Sequence, residues 1–256
     1  MKTKVGLLGF GRTGKNVANL ILQDQNYQLE WVFRKSKVLE KRSVPDFFGI
    51  QSEEPGHIYS AKTTSIDFLL DAYPVEFIID FSAPEVLHTY AYEAAKRNVK
   101  IISAISHYSE SEINLLHDLS ADNVIFWSPN ITLGVNFLLL ASKYLKEIAP
   151  SADIEIIEEH FKKKSGISGT ALKIAESLHI GKSNVLSVRA GGIVGKHEII
   201  FGFPYQTVRL THESISREAF GNGALFVAQE LKDKIAGFYT FEDLLLPYFS
   251  KKSITK

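Results

Sequence analysis

A doubly wound α/β sheet followed by a second, smaller α+β unit is the fold that three features of the chain predict. Short β-branched or aromatic runs alternate with amphipathic stretches over the first half, strand-like runs follow one another without helices in the second, and a glycine-rich turn begins at Gly9. The alternation runs KVGLLGF, a helical pattern over 12–22, LEWVF, then EFIIDF, a helical 84–97, VKIISAI, a helical 109–119 and NVIFW. That order argues for βαβ units and a parallel sheet with helices on both faces, wound by right-handed crossovers. After Ser128-Pro129-Asn130 the character changes. An apolar helix over 133–148 leads to the strand ADIEIIEEHF, a lysine-rich break and another helix, and then to NVLSVRA, HEIIFGF and QTVRLTHES, which suit a mixed or antiparallel sheet. A helical segment over 217–235 and a short one near Phe241 close the chain, and the polar SKKSITK is expected to fray. The expected division is 1–129, completed by 217–256, against 130–216.

Composition limits what such a fold can do. The 256 residues include 29 basic and 29 acidic side chains, so no global field steers the chain to nucleic acid or an anionic membrane, and any anion site must be local. There is no cysteine, which removes disulfides, thiolate metal sites and a cysteine nucleophile. No metal site is expected. The opening MKTKVGLLGFG turns apolar too briefly for a secretory leader, and runs such as VNFLLLA fall short of the roughly 20 residues that cross a bilayer. A soluble, cytoplasmic protein is expected.

Gly9, Gly11 and Gly14 form G-x-G-x-x-G after the first strand and at the opening of the first helix, with Phe10, Arg12 and Thr13 between them. The first glycine permits a tight turn, the second lets backbone approach a pyrophosphate, the third allows close helix packing, and the helix amino end favours negative charge. In this position the motif points to a Rossmann-like dinucleotide site. Where an NAD site would carry Asp or Glu after the second strand, the chain has Phe33, Arg34, Lys35 and Ser36. Arg34 and Lys35 favour the 2′-phosphate of NADPH, with NADH the alternative and a solvated basic turn the plain structural reading. Phe81 and Ser82, after Asp80, lie at a carboxyl edge of the sheet where ligands of open α/β sheets bind. Asp80 is a candidate carboxylate, but a loop-shaping role with Ser82 and Pro84 is the stronger reading.

The second cluster is EEHFKKKSGISGTALKIAESL, residues 158–178. An imidazole at a strand end can exchange a proton near neutral pH, a nearby lysine can clamp an anion or donate a proton, and Ser168-Gly169-Thr170 at a helix start offers N–H groups and hydroxyls to a carboxylate or phosphate. A solvated lysine turn with an ordinary helix cap is the alternative.

Taken in order, GFGRTG, DFSAPEV, SPNITLGVNFLL, IEIIEEHFKKKSGISGTALKIAESL, VRAGGIVGKHEIIF and LTHESISREAFGNGALFVAQEL resemble the dihydrodipicolinate reductase (4-hydroxy-tetrahydrodipicolinate reductase) family over nearly the whole chain. The resemblance implies a Rossmann-like domain joined to a smaller α+β substrate domain, a homotetramer, and NAD(P)H-dependent reduction of an unsaturated cyclic dicarboxylate in lysine and diaminopimelate biosynthesis. It implies His160 as proton donor or acceptor, Lys164 as catalytic lysine, and Ser168, Gly169 and Thr170 at a substrate carboxylate. It places Ser103, Ile105 and Asn130 with the cofactor-binding residues. The chain departs from the family pattern at Phe161, which stands at the second substrate histidine, and at Gly166-Ile167, where the family's D-A-P is one residue longer. Without that gap Lys163 takes the lysine position and His160 the substrate-binding one. Ser103-Ala104-Ile105-Ser106 replaces G-T-T-G, removing a hydroxyl and adding bulk. Two other readings therefore remain open: another imine or carbonyl substrate, and a non-catalytic NADPH-binding regulator.

Overall fold

The computed structural model describes residues 1–250, Ser250 by its backbone alone; the fraying expected of the residues that follow lies outside the described residues. Contacts divide the chain into two units, residues 1–131 with the chain from Phe220 on, and Thr132–Ala219.

The first unit is built on a seven-stranded sheet. Its strands are β1 (Thr3–Leu8), β2 (Tyr27–Arg34), β3 (His57–Ser60), β4 (Phe77–Asp80), β5 (Lys100–Ser103), β6 (Val124–Trp127) and β11 (Gly237–Tyr239), in the order β11-β6-β5-β4-β1-β2-β3. Every neighbouring pair is parallel. Strands buried on both faces need apolar residues throughout rather than alternation, which is why FIID and KIIS read as continuous runs. The helices of this unit are α1 (Arg12–Gln23), α2 (Val44–Phe48), α3 (Ile66–Ala72), α4 (Leu87–Lys96, entered through a 3₁₀ turn at Pro84–Val86), α5 (Glu110–Leu119), most of α8 (Glu218–Leu231) and α9 (Phe241–Ser250). Side chains start several of them. Ser65 Oγ accepts from Phe68 N at 3.2 Å to open α3, and the Ser109 N–H and hydroxyl donate to Glu112 Oε2 at 2.8 and 2.5 Å to open α5. Trp31 is wholly buried, its indole N–H donating to the Tyr73 carbonyl at 3.0 Å, so it packs the core rather than lining a cleft.

Three elements have little periodic signal in the sequence. The strand β3 is four residues at a sheet edge, α2 is five, and β11 is three, formed where the expected 217–235 helix stops at Leu231 and the chain turns back into the sheet. Elements of this length are held by the sheet they join rather than by their own pattern.

The second unit has a four-stranded sheet in the order β10-β9-β7-β8, formed by β7 (Asp153–His160), β8 (Val185–Arg189), β9 (Gly195–Phe203) and β10 (Gln206–Ser214). The strand β7 runs parallel to β8 and antiparallel to β9, and β9 pairs antiparallel with β10, so the sheet is mixed. The helices α6 (Leu133–Ile148) and α7 (Gly169–Ser177) supply Val135, Leu138, Leu139, Ala171 and Ile174 to a core shared with Ile154, Ile156, Ile199 and Phe201 of the strands. Alternation along β7 puts Ile154, Ile156, Glu158 and His160 on the same face. That face therefore changes from apolar to polar toward the strand's carboxyl end. Among the described residues no helix is long and apolar enough to cross a membrane.

Candidate active site

In the first unit the strand order reverses between β1 and β4, and the turns after these strands border a cavity of about 500 Å³. Crevices at such reversals, outside the carboxyl ends of the strands, are where open α/β sheets bind ligands. Gly9, Phe10, Gly11, Arg34, Lys35, Phe81 and Ser82 all line it, together with Phe33, Ser36 and Glu85. The three glycines are there for different reasons. Gly9 has φ +89°, and a Cβ on it would fall 2.6 Å from the Phe81 carbonyl oxygen. A Cβ on Gly14 would fall 2.3 Å from the Gly9 carbonyl oxygen, so the third glycine lets α1 close onto the turn itself. A Cβ on Gly11, the N-cap of α1, would meet nothing within 4 Å beyond its immediate chain surroundings, and no side chain caps the helix. The protein's own packing does not require glycine there, and the open space beside it fits close backbone approach by a phosphate at a helix amino end. Arg12 is exposed and Thr13 half-buried in the first turn of α1. The donor set thus suits a dinucleotide: free backbone at a helix start, and cations at the end of β2.

Ser103, Ile105 and Asn130 are not among the residues lining this cavity. Ser103 is buried with its hydroxyl 2.8 Å from the Tyr108 hydroxyl, and the bulk of Ile105 is buried in the protein, its carbonyl accepting from Trp127 Nε1 at 2.9 Å. Ser128 donates to the Asn130 carbonyl at 2.7 Å. Below the turn after β4, Asp80 is fully buried and accepts from Ser82 N at 2.8 Å, Ser82 Oγ at 2.5 Å and Tyr90 OH at 3.0 Å. Burial pushes its pKa up to about 6 against these three donors. The geometry is that of a loop-shaping carboxylate.

In the second unit the polar end of β7 carries the other group. Glu158 is fully buried and His160 nearly so, with His160 Nδ1 2.5 Å from Glu158 Oε2. The parallel register sets Ser187 beside Glu158 and Arg189 beside His160. Ser187 Oγ donates to Glu158 Oε1 at 2.5 Å, and Arg189 Nη2 donates to the same oxygen. Burial opposes the Glu158 charge, but the donors from Arg189, Ser187 and His160 outweigh it and bring the pKa down to about 2. Arg189 also donates to the Lys164 carbonyl at 3.1 Å and to the Gly166 carbonyl at 2.6 Å, tying the lysine loop to the strand. Within that loop Lys162, Lys163 and Phe161 are exposed, whereas Lys164 is half-buried and its charge acts on both His160 and His197.

His197, opposite Glu158 on β9, sets its ring edge-on to His160 with centroids 5.3 Å apart. Its Nε2 lies 3.0 Å from the hydroxyl of Ser168, which accepts from Ala171 N at 3.1 Å as the cap of α7. Burial, reinforced by the neighbouring His160, brings the His197 pKa down to about 4, so the ring is neutral. Burial likewise lowers His160, with Lys164 and Arg189 in the same direction and Glu158 opposing. Gly169 and Thr170 form the first turn of α7, whose amino end favours an anion. His160, Lys164 and Ser168 thus gather in one part of the unit, while Lys163 and Phe161 remain on its exposed surface. Glu158 opens the sequence cluster, where nothing marks out its role, and Ser187 and Arg189 lie outside that cluster. Glu158 could have been found two residues before His160 on one strand face; Ser187 and Arg189 needed the β7–β8 register.

Two family models match the chain in succession: the dihydrodipicolinate reductase N-terminus over residues 3–131 and the C-terminus over residues 131–245. The chain is similar to the 4-hydroxy-tetrahydrodipicolinate reductase of Lawsonia intracellularis, 29% identical over 261 residues that cover 92% of this chain and 96% of that one. It is 34% identical to the reductase of the same name from Caldanaerobacter subterraneus subsp. tengcongensis over 192 residues, 66% of this chain and 76% of the other. Among solved structures, the dipicolinate-bound dihydrodipicolinate reductase from Paenisporosarcina sp. TG-14 shares the fold, with a TM-score of 0.79 at 18% identity over 95% of this chain and 99% of that one. An amine dehydrogenase from Mycobacterium smegmatis also shares it, with a TM-score of 0.65 at 11% identity over 95% and 96% of the two chains. Matched by both halves of the family in order, the chain belongs to the dihydrodipicolinate reductase family.

Proposed function

We propose that the chain is an NAD(P)H-dependent oxidoreductase that reduces 4-hydroxy-tetrahydrodipicolinate to tetrahydrodipicolinate in lysine and diaminopimelate biosynthesis. The observation that carries this reading is the half-buried Lys164 beside the Glu158-supported His160, in a chain matched by both family models. The bound nicotinamide supplies a hydride. Everything else falls to the chain. The first unit binds the dinucleotide, with the Gly11 backbone and the start of α1 holding the pyrophosphate and Arg34 and Lys35 holding the 2′-phosphate, which favours NADPH over NADH. The second unit binds the dicarboxylate, with Ser168, Gly169 and Thr170 at the amino end of α7 receiving one carboxylate. Lys164 or His160 gives a proton to the carbon bearing the developing negative charge, and cationic groups in a shielded site stabilise that charge better than water does. Exposed Leu186 and Val188 on β8 support assembly of copies into the family's homotetramer.

NADPH oxidation with and without the dicarboxylate tests the reading, and absence of dicarboxylate-dependent oxidation overturns it. A second reading, reduction of a different imine or carbonyl, is favoured by the turn after β5, where the Ser103 hydroxyl is committed to Tyr108 and Ile105 is buried. Oxidation with another cyclic imine but not with the dicarboxylate would select it.

A further inference from the structure

We propose that Glu158 is a positioning residue that holds His160 in a single neutral tautomer, with the proton on Nδ1, leaving Nε2 as the ring nitrogen that exchanges a proton with substrate. The inference rests on the proton-transfer role given to His160 above.

The two oxygens of Glu158 have different partners. Oε2 lies 2.5 Å from His160 Nδ1, while Oε1 takes the Ser187 hydroxyl at 2.5 Å and the Arg189 guanidinium. An ionised carboxylate can only accept, so Nδ1 must carry the proton. The ionised state is the one the surroundings favour, since the Ser187 hydroxyl and the Arg189 guanidinium both donate to its other oxygen. Nε2 faces the other way, toward β9, where a Cβ on Gly195 would fall 3.0 Å from Nε2 and 3.5 Å from Cδ2. Gly195 has no positive φ, so its small size here serves clearance around the ring.

Glu158 also opposes every other influence on the imidazole. Burial, Lys164 in the loop after β7, and Arg189 on β8 all disfavour a second proton on His160, with the His197 ring of β9 packed at its edge; Glu158 alone favours that proton. In the cycle inferred here, the imidazolium loses its Nε2 proton to substrate and returns to the neutral ring with Nδ1–H still held by Glu158. A proton from solvent then restores Nε2–H.

Glu158→Gln tests this, because the site dictates which way the amide turns. Ser187 and Arg189 both donate at the Oε1 position, so the amide oxygen belongs there and the NH₂ faces Nδ1. Nδ1 must then accept, and the neutral proton moves to Nε2. Histidine ¹⁵N–¹H correlation spectra of the ligand-free protein read the tautomer directly: Nδ1–H is expected in the wild type and Nε2–H in the variant. In steady-state assays kcat should fall by about 10²-fold or more, within the range of acid–base contributions, with KM for the dicarboxylate little changed. The limb of the pH profile belonging to His160 should move to lower pH, since a group that raises its pKa has been removed. A variant that keeps Nδ1–H, or one whose Tm and KM fail together with no tautomer change, would make Glu158 an ion-pair brace for β8 and overturn the proposal. Should Glu158→Gln not fold, Gly195→Ala crowds Nε2 without touching Glu158; kcat must then fall while Nδ1–H persists, and unchanged kcat overturns the inference. Because the tautomer is read without ligand, it is independent of whether the wild type oxidises NADPH with the dicarboxylate.

Discussion

Gly11→Ala and Gly14→Ala separate what the glycine turn does for the fold from what it does for the cofactor. A methyl added at Gly11 would meet nothing within 4 Å beyond its immediate chain surroundings, and Gly11 has φ −80° and ψ −161°, ordinary extended backbone. Stability without ligand should therefore change by less than about 1 kcal/mol, the poorer capping by Ala at the start of α1 offsetting the gain from a stiffer unfolded chain. The methyl instead obstructs the approach of a pyrophosphate to the start of α1, and a tenfold loss of dinucleotide affinity, about 1.4 kcal/mol, is expected as a minimum. At NADPH one hundred times the wild-type Kd, ligand stabilisation would drop from about 2.7 to about 1.4 kcal/mol, roughly halving the Tm rise that NADPH produces. A methyl added at Gly14 falls 2.3 Å from the Gly9 carbonyl oxygen. It should cost about 1–3 kcal/mol of overpacking, or about 2–4 °C in Tm for each kcal/mol in a chain of this size. Thermal melts with and without NADPH, backed by titration calorimetry, give both numbers. Wild-type NADPH affinity in Gly11→Ala, or an apo Tm loss as large as that of Gly14→Ala, would refute the assignment of Gly11 to ligand approach.

Three further outcomes are expected. Arg34→Ala should weaken NADPH by about 1.5–3 kcal/mol, the worth of charge-assisted hydrogen bonds, and leave NADH affinity nearly unchanged; an equal loss for both in paired titrations would return Arg34 to a solvated turn. Lys164→Ala should lower kcat by about 10²–10⁴-fold, whereas Lys163→Ala, at an exposed position, should leave kcat near wild type; the reverse order would select the ungapped alignment. His197 has a folded pKa near 4 against 6.5 ordinarily, so its contribution to stability is fully present above about pH 6.5 and is lost as the pH falls toward about 4. By pH 5 that loss is about 2 kcal/mol, and in urea unfolding at pH 7 and 5 the His197→Gln variant should show a correspondingly smaller drop.

Much of this protein could be read from local pattern because the relevant physics is local. Continuous apolar runs such as FIID and KIIS mark strands buried on both faces, the G-x-G-x-x-G after β1 marks a turn and helix start, and the alternation IEIIEEH puts Glu158 and His160 on the side of Ile154 and Ile156. Propensity and period act over a few residues, and the sequence carries them whole. Tertiary structure decided the rest, because it depends on which strands pair and in what register. The β7–β8 pairing brings Ser187 and Arg189, some 30 residues away, to Glu158 and ties down the loop that leaves Lys164 half-buried and Lys163 exposed. The short β3 and β11 exist only as edges of a sheet already formed, and burial inside the protein gives Ile105 its place. Pairing partners far apart in sequence are chosen by the area they bury together, and no local window contains that term.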